Sequence, residues 1–304
     1  MDIRTVTFFS EGVKLEGDLF LPAGMKPGER RPGIVLCHGF SGIRAGILPD
    51  YAKAFCAAGF VALTFDYRGF GGSDGERFRL IPLEQIDDIR NAITYMESVP
   101  QVDAERIGLW GTSFGGGHAP YTAAIDLRVK AVVAQVGFGD GERLILDSRG
   151  YAARVKLAQD LAADRQRRVR EGKGGTLDPI AILNAAQTKA FLEPFLIENP
   201  AMKCDISLET IEKTIEYKPI DVVGRIAPRP LLVINGDSDA RTPKPGLMEC
   251  VTNIRKAYAR AQANDKFEFV LQPNTGHKVN PDSLKAAVRF FERWLGTNGA
   301  VSTN

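Results

Sequence analysis

The residues best suited to chemistry begin with a serine placed between glycines. Ser113 lies at the centre of Gly111–Gly115, a Gly-x-Ser-x-Gly motif that follows an apolar run and precedes a small-residue helix pattern. A strand that turns at once into a helix needs a tight backbone, and a Cβ at either glycine would collide with the crossing chain. The hydroxyl then stands above the positive end of a helix, whose unpaired N–H groups can stabilise an oxyanion. The motif predicts that Ser113 is a nucleophile. The alternative is a glycine-rich turn whose serine has no catalytic role.

A serine hydroxyl is a poor nucleophile at neutral pH, so it needs a base within hydrogen-bond reach. The chain contains three histidines. His38 ends a predicted strand and His118 lies within the helix pattern after Ser113, so both also have purely structural interpretations. His277 follows a predicted strand, at the carboxyl end of the predicted sheet, where parallel sheets place their sites. We therefore predict that His277 is the base.

A histidine base needs an acid that holds its tautomer and stabilises the imidazolium. The loop after the preceding predicted strand offers two carboxylates, Asp237 and Asp239. Either carboxylate could instead cap the turn, and capping is the interpretation that we favour for Asp237. Ser113, Asp239 and His277 then follow one another along the chain in the order nucleophile, acid, histidine.

Strand and helix patterns alternate around these loops and must position them. Two antiparallel strands between Thr5 and Pro22 precede apolar runs that are typical of parallel strands buried on both faces. The later strands are predicted at residues 33–40, 60–66, 106–110, 129–136, 230–235 and 266–271. Helices are predicted at residues 48–58, 83–98, 114–125, 247–263 and 281–295. This alternation predicts an α/β domain whose parallel sheet is covered by helices on both faces.

The alternation stops at residues 139–217, where the pattern is helical and no strand candidate is found. Its clearest helices are residues 149–170 and 180–197. We therefore predict a core domain formed by residues 1–138 and 218–304, with residues 139–217 inserted as a helical cap. Four aromatic residues could line a pocket beneath the cap: Phe138, Tyr151, Phe191 and Phe195. The alternative, which we favour for each, is packing in the core of the cap.

Taken together, the motifs resemble those of the α/β-hydrolase family over nearly the whole chain outside the insertion. The matching segments are the oxyanion-loop motif His38–Phe40, the glycine-rich loop Asp66–Ser73, the nucleophile elbow Gly111–Gly116 and the acid-bearing segment Ile226–Asp239. The last of these is similar to that of the dienelactone-hydrolase-like and X-Pro-peptidase-like branches. Four motifs in the right order form a much stronger signal than any one of them.

The resemblance implies the α/β-hydrolase fold, with a mostly parallel eight-stranded sheet, helices on both faces and a helical cap insertion. It matches Asp239 to the family's acid, and it implies an oxyanion hole formed by the backbone N–H groups of Phe40 and Phe114. Asn235 and Gly236 stand where relatives usually have His-Gly. We expect this departure to be harmless.

Composition narrows the classes of partner. Lys plus Arg number 39 and Asp plus Glu number 37, so a net charge of +2 gives no reason to expect nucleic acid or an anionic membrane as partner. The basic cluster at residues 165–173 is interleaved with acids and is expected to be a solvated helix face. The cysteines are scattered, which favours reduced thiols over disulfides or a zinc site; they are Cys37, Cys56, Cys204 and Cys250.

No signal peptide or membrane-spanning run is recognised, so we expect a cytoplasmic protein. The predicted function is that of a serine hydrolase, a carboxylesterase acting on a small or medium hydrophobic ester without a metal or organic cofactor. The same triad can cleave amides, lactones, thioesters or activated C–C bonds, and these alternatives stay open. A non-catalytic small-molecule binder is a further alternative, and a homodimer is an open possibility for the assembly.

Overall fold

An eight-stranded sheet positions the loops that carry the candidate residues. The computed structural model describes residues 1–178, 205–242 and 244–296. The strands of this sheet are β1 (Asp2–Ser10), β2 (Val13–Leu21), β3 (Arg31–Cys37), β4 (Val61–Phe65), β5 (Val102–Thr112), β6 (Val129–Gln135), β9 (Leu231–Gly236) and β10 (Phe267–Gln272). The strand order is β1-β2-β4-β3-β5-β6-β9-β10.

Nearly all of the strands run in the same direction. β2 is antiparallel to β1 and β4, and every other neighbouring pair is parallel. The carboxyl ends of β3, β5, β9 and β10 therefore meet at one edge of the sheet. The prediction of a mostly parallel eight-stranded sheet is confirmed.

Helices cover the sheet on both sides. They are α1 (Leu48–Ala57), α2 (Pro82–Ser98), α3 (Phe114–Ile125), α4 (Gly141–Leu146), α5 (Tyr151–Glu171), α6 (Leu208–Glu216), α7 (Lys244–Arg260) and α8 (Pro281–Leu295). Buried side chains of α2, α3 and α7 pack on one face, and those of α1 and α8 pack on the other. This arrangement confirms the predicted two layers of helices.

Side-chain alternation along the central strands explains the two layers. Val35 and Leu109 point to the face under α2 and α3, whereas Ile34 and Trp110 point to the face under α1 and α8. All four are fully buried. Because burial of a large apolar side chain contributes about 1.5–3 kcal/mol, strands with apolar residues at every position stabilise both layers at once.

The region between residues 139 and 217 holds α4, α5, α6 and two short strands. β7 (Thr176–Leu177) pairs antiparallel with β8 (Ile206–Ser207), so the expectation that this region has no strand is wrong. Strands of two residues are too short to show a period of two, which is why the sequence pattern missed them. The predicted helix at residues 180–197 lies outside the described residues, as do Phe191 and Phe195. The division into core and cap stays a prediction.

Within the described part of the chain, no helix is both long enough and apolar enough to cross a bilayer.

Candidate active site

Ser113 lies at the sharp junction between β5 and α3. Its backbone has φ 57° and ψ −118°, a conformation that is strained for any residue with a side chain. A Cβ on Gly111 would lie 2.0 Å from the Gly115 carbonyl oxygen, and a Cβ on Gly115 would lie 2.0 Å from the Cys37 carbonyl oxygen. Only glycine fits at both flanking positions, as the motif predicts.

Gln135, at the end of β6, supports this junction, although the sequence pattern indicates only that it belongs to a strand. Its backbone oxygen accepts the Ser113 N–H at 3.0 Å. Its buried side chain accepts a hydrogen bond from Trp110 Nε1 at 3.0 Å and donates to the Ser283 carbonyl oxygen at 2.9 Å. A polar residue directly after the apolar run at residues 131–134 was the signal that could have identified it.

His277 connects Ser113 to a buried carboxylate. Its Nε2 lies 2.9 Å from Ser113 Oγ, and its Nδ1 lies 2.8 Å from Asp239 Oδ2. A carboxylate only accepts hydrogen bonds, so Nδ1 carries the proton and Nε2 presents its lone pair to the hydroxyl. The three predicted residues thus form one hydrogen-bonded chain.

Two loops at the carboxyl edge of the sheet present the acid and the histidine. Asp239 follows β9, and its Oδ1 accepts the backbone N–H groups of Arg241 at 2.9 Å and Thr242 at 3.2 Å. His277 follows β10 and precedes α8, whose start is fixed by a capping box between Asn280 and Ser283. Both loops are therefore held by local hydrogen bonds.

The electrostatic setting suits a neutral base beside an ionised acid. Burial lowers the pKa of His277 below its ordinary value, and the hydrogen bond to Asp239 opposes this only in part. Burial raises the pKa of Asp239, but the hydrogen bond from His277 and those from the Arg241 and Thr242 backbone outweigh it, so the pKa lies below its ordinary value. At neutral pH the imidazole is free to accept a proton.

The other acidic and histidine candidates have different surroundings. Asp237 accepts a hydrogen bond from the neighbouring Ser238 hydroxyl at 2.8 Å, which agrees with a role in the turn. His38 Nδ1 donates to the Gly39 carbonyl oxygen at 3.0 Å. His118 is buried between Tyr217 and Gln85, and burial lowers its pKa to about 3. Neither His38 nor His118 replaces His277 at the serine.

The two N–H groups expected to form an oxyanion hole belong to Phe114, which follows the serine in the chain, and to Phe40, which follows a glycine that lies beside the serine. Phe114 is the first residue of α3, so its N–H belongs to the helix N-terminus. Phe40 follows Gly39, where an added Cβ would lie 3.1 Å from Ser113 Cβ and 3.5 Å from its Oγ. The rings of Phe40 and Phe114 are 5.2 Å apart. The roles of Phe40 and Phe114 stay predictions, as do those of the triad.

The aromatic residues proposed to line a pocket differ in their burial. Phe138 is buried, and its ring lies 5.0 Å from that of Phe114 and 6.0 Å from that of Tyr217. Tyr151, in contrast, is 85 % exposed at the start of α5. Phe138 is therefore packed among other aromatic rings, as the favoured alternative expects, and Tyr151 is on the surface.

The cysteines and possible metal ligands add no second centre in the part of the chain that is described. Cys37, Cys56 and Cys250 are free thiols, and Cys204 lies outside the described residues. Among residues 1–178, 205–242 and 244–296, no group of three His, Cys, Asp or Glu side chains is arranged to hold a metal ion.

Known proteins share this architecture. A model of the alpha/beta hydrolase family matches residues 34–290. The uncharacterized 31.7 kDa protein in the traX-finO intergenic region of Escherichia coli is 40% identical over 237 residues, covering 77% of this chain and 83% of that protein. The polyketide transferase grgF of a Penicillium species is 30% identical over 259 residues, covering 81% of this chain and 82% of that protein.

The crystal structure of the alpha/beta hydrolase GrgF from Penicillium sp. sh18 is similar in fold. It superposes with a TM-score of 0.80 at 26% identity, covering 97% of this chain and 99% of that one. These matches support hydrolase activity. The family model spans most of β3, all later strands of the sheet and all three candidate loops, and the protein belongs to the alpha/beta hydrolase family.

Proposed function

We propose that the protein is a serine hydrolase that cleaves a carboxylic ester of a small or medium hydrophobic substrate through an acyl-enzyme on Ser113. The observation that carries the proposal is the continuous chain from Asp239 through His277 to Ser113, with hydrogen bonds of 2.8 and 2.9 Å. A hydroxyl, a neutral imidazole and an ionised acid in this order are what nucleophilic acyl transfer requires.

The first half of the reaction forms the acyl-enzyme. His277 Nε2 accepts the proton of Ser113 as Oγ attacks the ester carbonyl carbon, and Asp239 stabilises the imidazolium. The backbone N–H groups of Phe40 and Phe114 stabilise the oxyanion of the tetrahedral intermediate. One such donor typically contributes about 10²–10³ in rate. Collapse of the intermediate transfers the proton from His277 to the leaving alcohol.

The second half returns the enzyme to its starting state. His277 takes a proton from water, the hydroxide attacks the acyl carbonyl, and the carboxylic acid leaves as Ser113 recovers its proton. We further propose that residues 139–217 act as the predicted cap over this site. The buried rings of Phe114 and Phe138 favour an apolar acyl group beside the serine.

Transfer of the acyl group to an acceptor other than water is the second candidate. The name of the relative called polyketide transferase favours it. Both reactions share the acyl-enzyme and differ only in the nucleophile that resolves it. Adding a series of alcohols, amines and thiols during turnover separates them, because a transferase forms the new ester, amide or thioester faster than the free acid.

A panel of substrates tests the proposal. The wild-type protein is expected to hydrolyse p-nitrophenyl acetate and butyrate, and a panel of amides, lactones and thioesters ranks the bond types. Ser113→Ala and His277→Ala should each abolish turnover, losing as much singly as in combination because the two groups act as a unit. Ser98→Ala, on the exposed end of α2, is the matched control. Folded wild-type protein with no turnover on any member of the panel would contradict the proposal.

A further inference from the structure

We infer that Asp66 and Arg44 are positioning residues that hold the loop bearing the Phe40 N–H beside Ser113. This role rests on the proposed function, because it concerns the oxyanion donor of that reaction. The loop in question is residues 38–44, between β3 and α1, and we call it the 38–44 loop. Asp66 lies just after β4, outside the triad.

The Asp66 carboxylate is almost fully buried, and its side chain is 1% exposed. Oδ1 accepts the Arg44 backbone N–H at 2.6 Å, and Oδ2 accepts the Arg44 guanidinium at 2.5 Å and the Gly72 backbone N–H at 2.9 Å. One carboxylate thus joins the end of the 38–44 loop to the loop after β4. Hydrogen bonds to an ionised group are among the stronger ones in proteins.

The Arg44 side chain extends this connection to β2. Its Nε donates to Asp18 Oδ2 at 3.0 Å, and its second terminal nitrogen donates to Glu16. The Arg44 side chain is only 16% exposed, and its guanidinium bridges three carboxylates with its planar fork of donors. A lysine ammonium in the same place has no such fork. The loop is therefore tied to β2 and to the segment just after β4 through a single side chain.

The 38–44 loop needs such an external attachment because its own backbone is strained. Ser41, next to Phe40, is buried with φ 52°, in the left-handed region that residues with a Cβ rarely occupy. At the start of the loop, the Gly39 carbonyl oxygen accepts His38 Nδ1–H at 3.0 Å and the Gly42 N–H at 3.1 Å. These bonds fix the turn internally, and Asp66 fixes its position relative to the sheet.

The glycine-rich loop is shaped around the same carboxylate. Gly71 has φ 49°, and a Cβ there would lie 2.2 Å from the Asp66 carboxyl group. The Ser73 hydroxyl donates to the Asp66 carbonyl oxygen at 2.6 Å and accepts the Glu16 N–H at 2.9 Å. The glycine-rich loop therefore has a structural role here: it provides the enclosure in which Asp66 can hold Arg44.

The test compares turnover with binding of a transition-state analogue. Asp66→Asn and Arg44→Met should lower kcat for p-nitrophenyl butyrate by about 10–100-fold, less than the ~10²–10³ typical for complete loss of one oxyanion donor. KM should stay within about threefold of the wild-type value. A trifluoromethyl ketone, which adds to the serine and places its oxygen in the oxyanion hole, should bind more weakly by the same factor as kcat falls. Rates are divided by the active sites titrated with a fluorophosphonate.

The control is Arg106→Met, which removes a more exposed Arg–Asp pair with Asp103 toward the amino end of β5, whose side chains are 25% and 29% exposed. It should leave kcat and the affinity for the ketone unchanged. If Asp66→Asn does not fold, Arg44→Lys is the deciding variant, and it is measured in the same way by kcat and by the affinity for the ketone. An unchanged kcat per titrated site, or an unchanged affinity for the ketone, would overturn the inference. Wild-type protein without turnover or Ser113 adduct would instead refute the proposed function, and this role with it.

Discussion

Replacing Asp239 by asparagine should nearly eliminate turnover while leaving the fold intact. The asparagine oxygen can still accept the N–H groups of Arg241 and Thr242, which lie 2.9 and 3.2 Å from Oδ1. Its NH₂ group then faces His277 Nδ1, 2.8 Å from Oδ2 in the native protein. Because NH₂ donates, Nδ1 must accept, and the imidazole proton moves to Nε2. Nε2 can then no longer accept the proton of Ser113.

The size of the loss follows from the role of the tautomer. Loss of a correctly held tautomer costs a serine triad about 10⁴ in kcat, and we expect a fall of about 10³–10⁴, equal to ~4–5.5 kcal/mol at ~1.4 kcal/mol per tenfold. The assay is kcat for p-nitrophenyl butyrate, with the thermal midpoint as a check on folding. KM should change little because the Asp239 side chain is fully buried and acts on the reaction through His277.

Asp237→Asn is the matched control, since Asp237 lies only two residues away from Asp239. Within the described residues, the one hydrogen bond to the Asp237 side chain comes from the neighbouring Ser238 hydroxyl. It should retain kcat within about threefold. If Asp239→Asn kept most of its activity while Asp237→Asn lost it, the assignment of the acid would be refuted.

Three further predictions concern pH and packing. Because burial depresses the pKa of His277 and the neutral form is the base, kcat/KM should rise with pH and level off with a midpoint below 6.5; a midpoint above 6.5 would contradict this. Gly115→Ala should lower the free energy of unfolding, measured with urea, by at least the ~1–3 kcal/mol typical of overpacking, since the added Cβ would lie 2.0 Å from the Cys37 carbonyl oxygen. Gly150→Ala is the control, because a Cβ there meets open space. Burial lowers the pKa of His118 to about 3 in the folded protein, against an ordinary 6.5, so as pH falls the unfolded chain binds a proton at this histidine before the folded protein does. The free energy of unfolding should therefore drop between pH 6.5 and 3, and it should drop less steeply in His118→Asn.

The parts of the fold that could be predicted are those where a buried strand or helix leaves a regular pattern. The apolar run before Ser113 and the glycines around it predicted the junction of β5 with α3, and residues 114–125 form the expected helix. The start of β5 was missed by four residues, at Val102 instead of Arg106, because three of residues 103–106 are charged and none of the four is fully buried. Periodicity records burial, so it fades where a strand leaves the core.

In the candidate site, too, only the residues that follow predicted strands could be predicted from the sequence. Ser113, His277 and the acid loop follow predicted strands, so their shared edge could be inferred, and the resemblance to the family's acid-bearing segment favoured Asp239 over Asp237. The connections that depend on distant segments could not be inferred. Gln135 bonding Ser283, and Arg44 bonding Asp66, join segments far apart in the chain. No local pattern records such pairs, because they arise only once the sheet has brought the segments together.

The most direct test of the central claim is reaction with a fluorophosphonate probe, followed by intact mass and peptide mapping. We expect one adduct per chain, on Ser113, and we expect it to form fastest at pH values above the pKa of His277. Formation should be lost in Ser113→Ala and slowed by orders of magnitude in His277→Ala. An adduct on another residue, or none from folded wild-type protein, would contradict the claim that Ser113 is a nucleophile activated by His277.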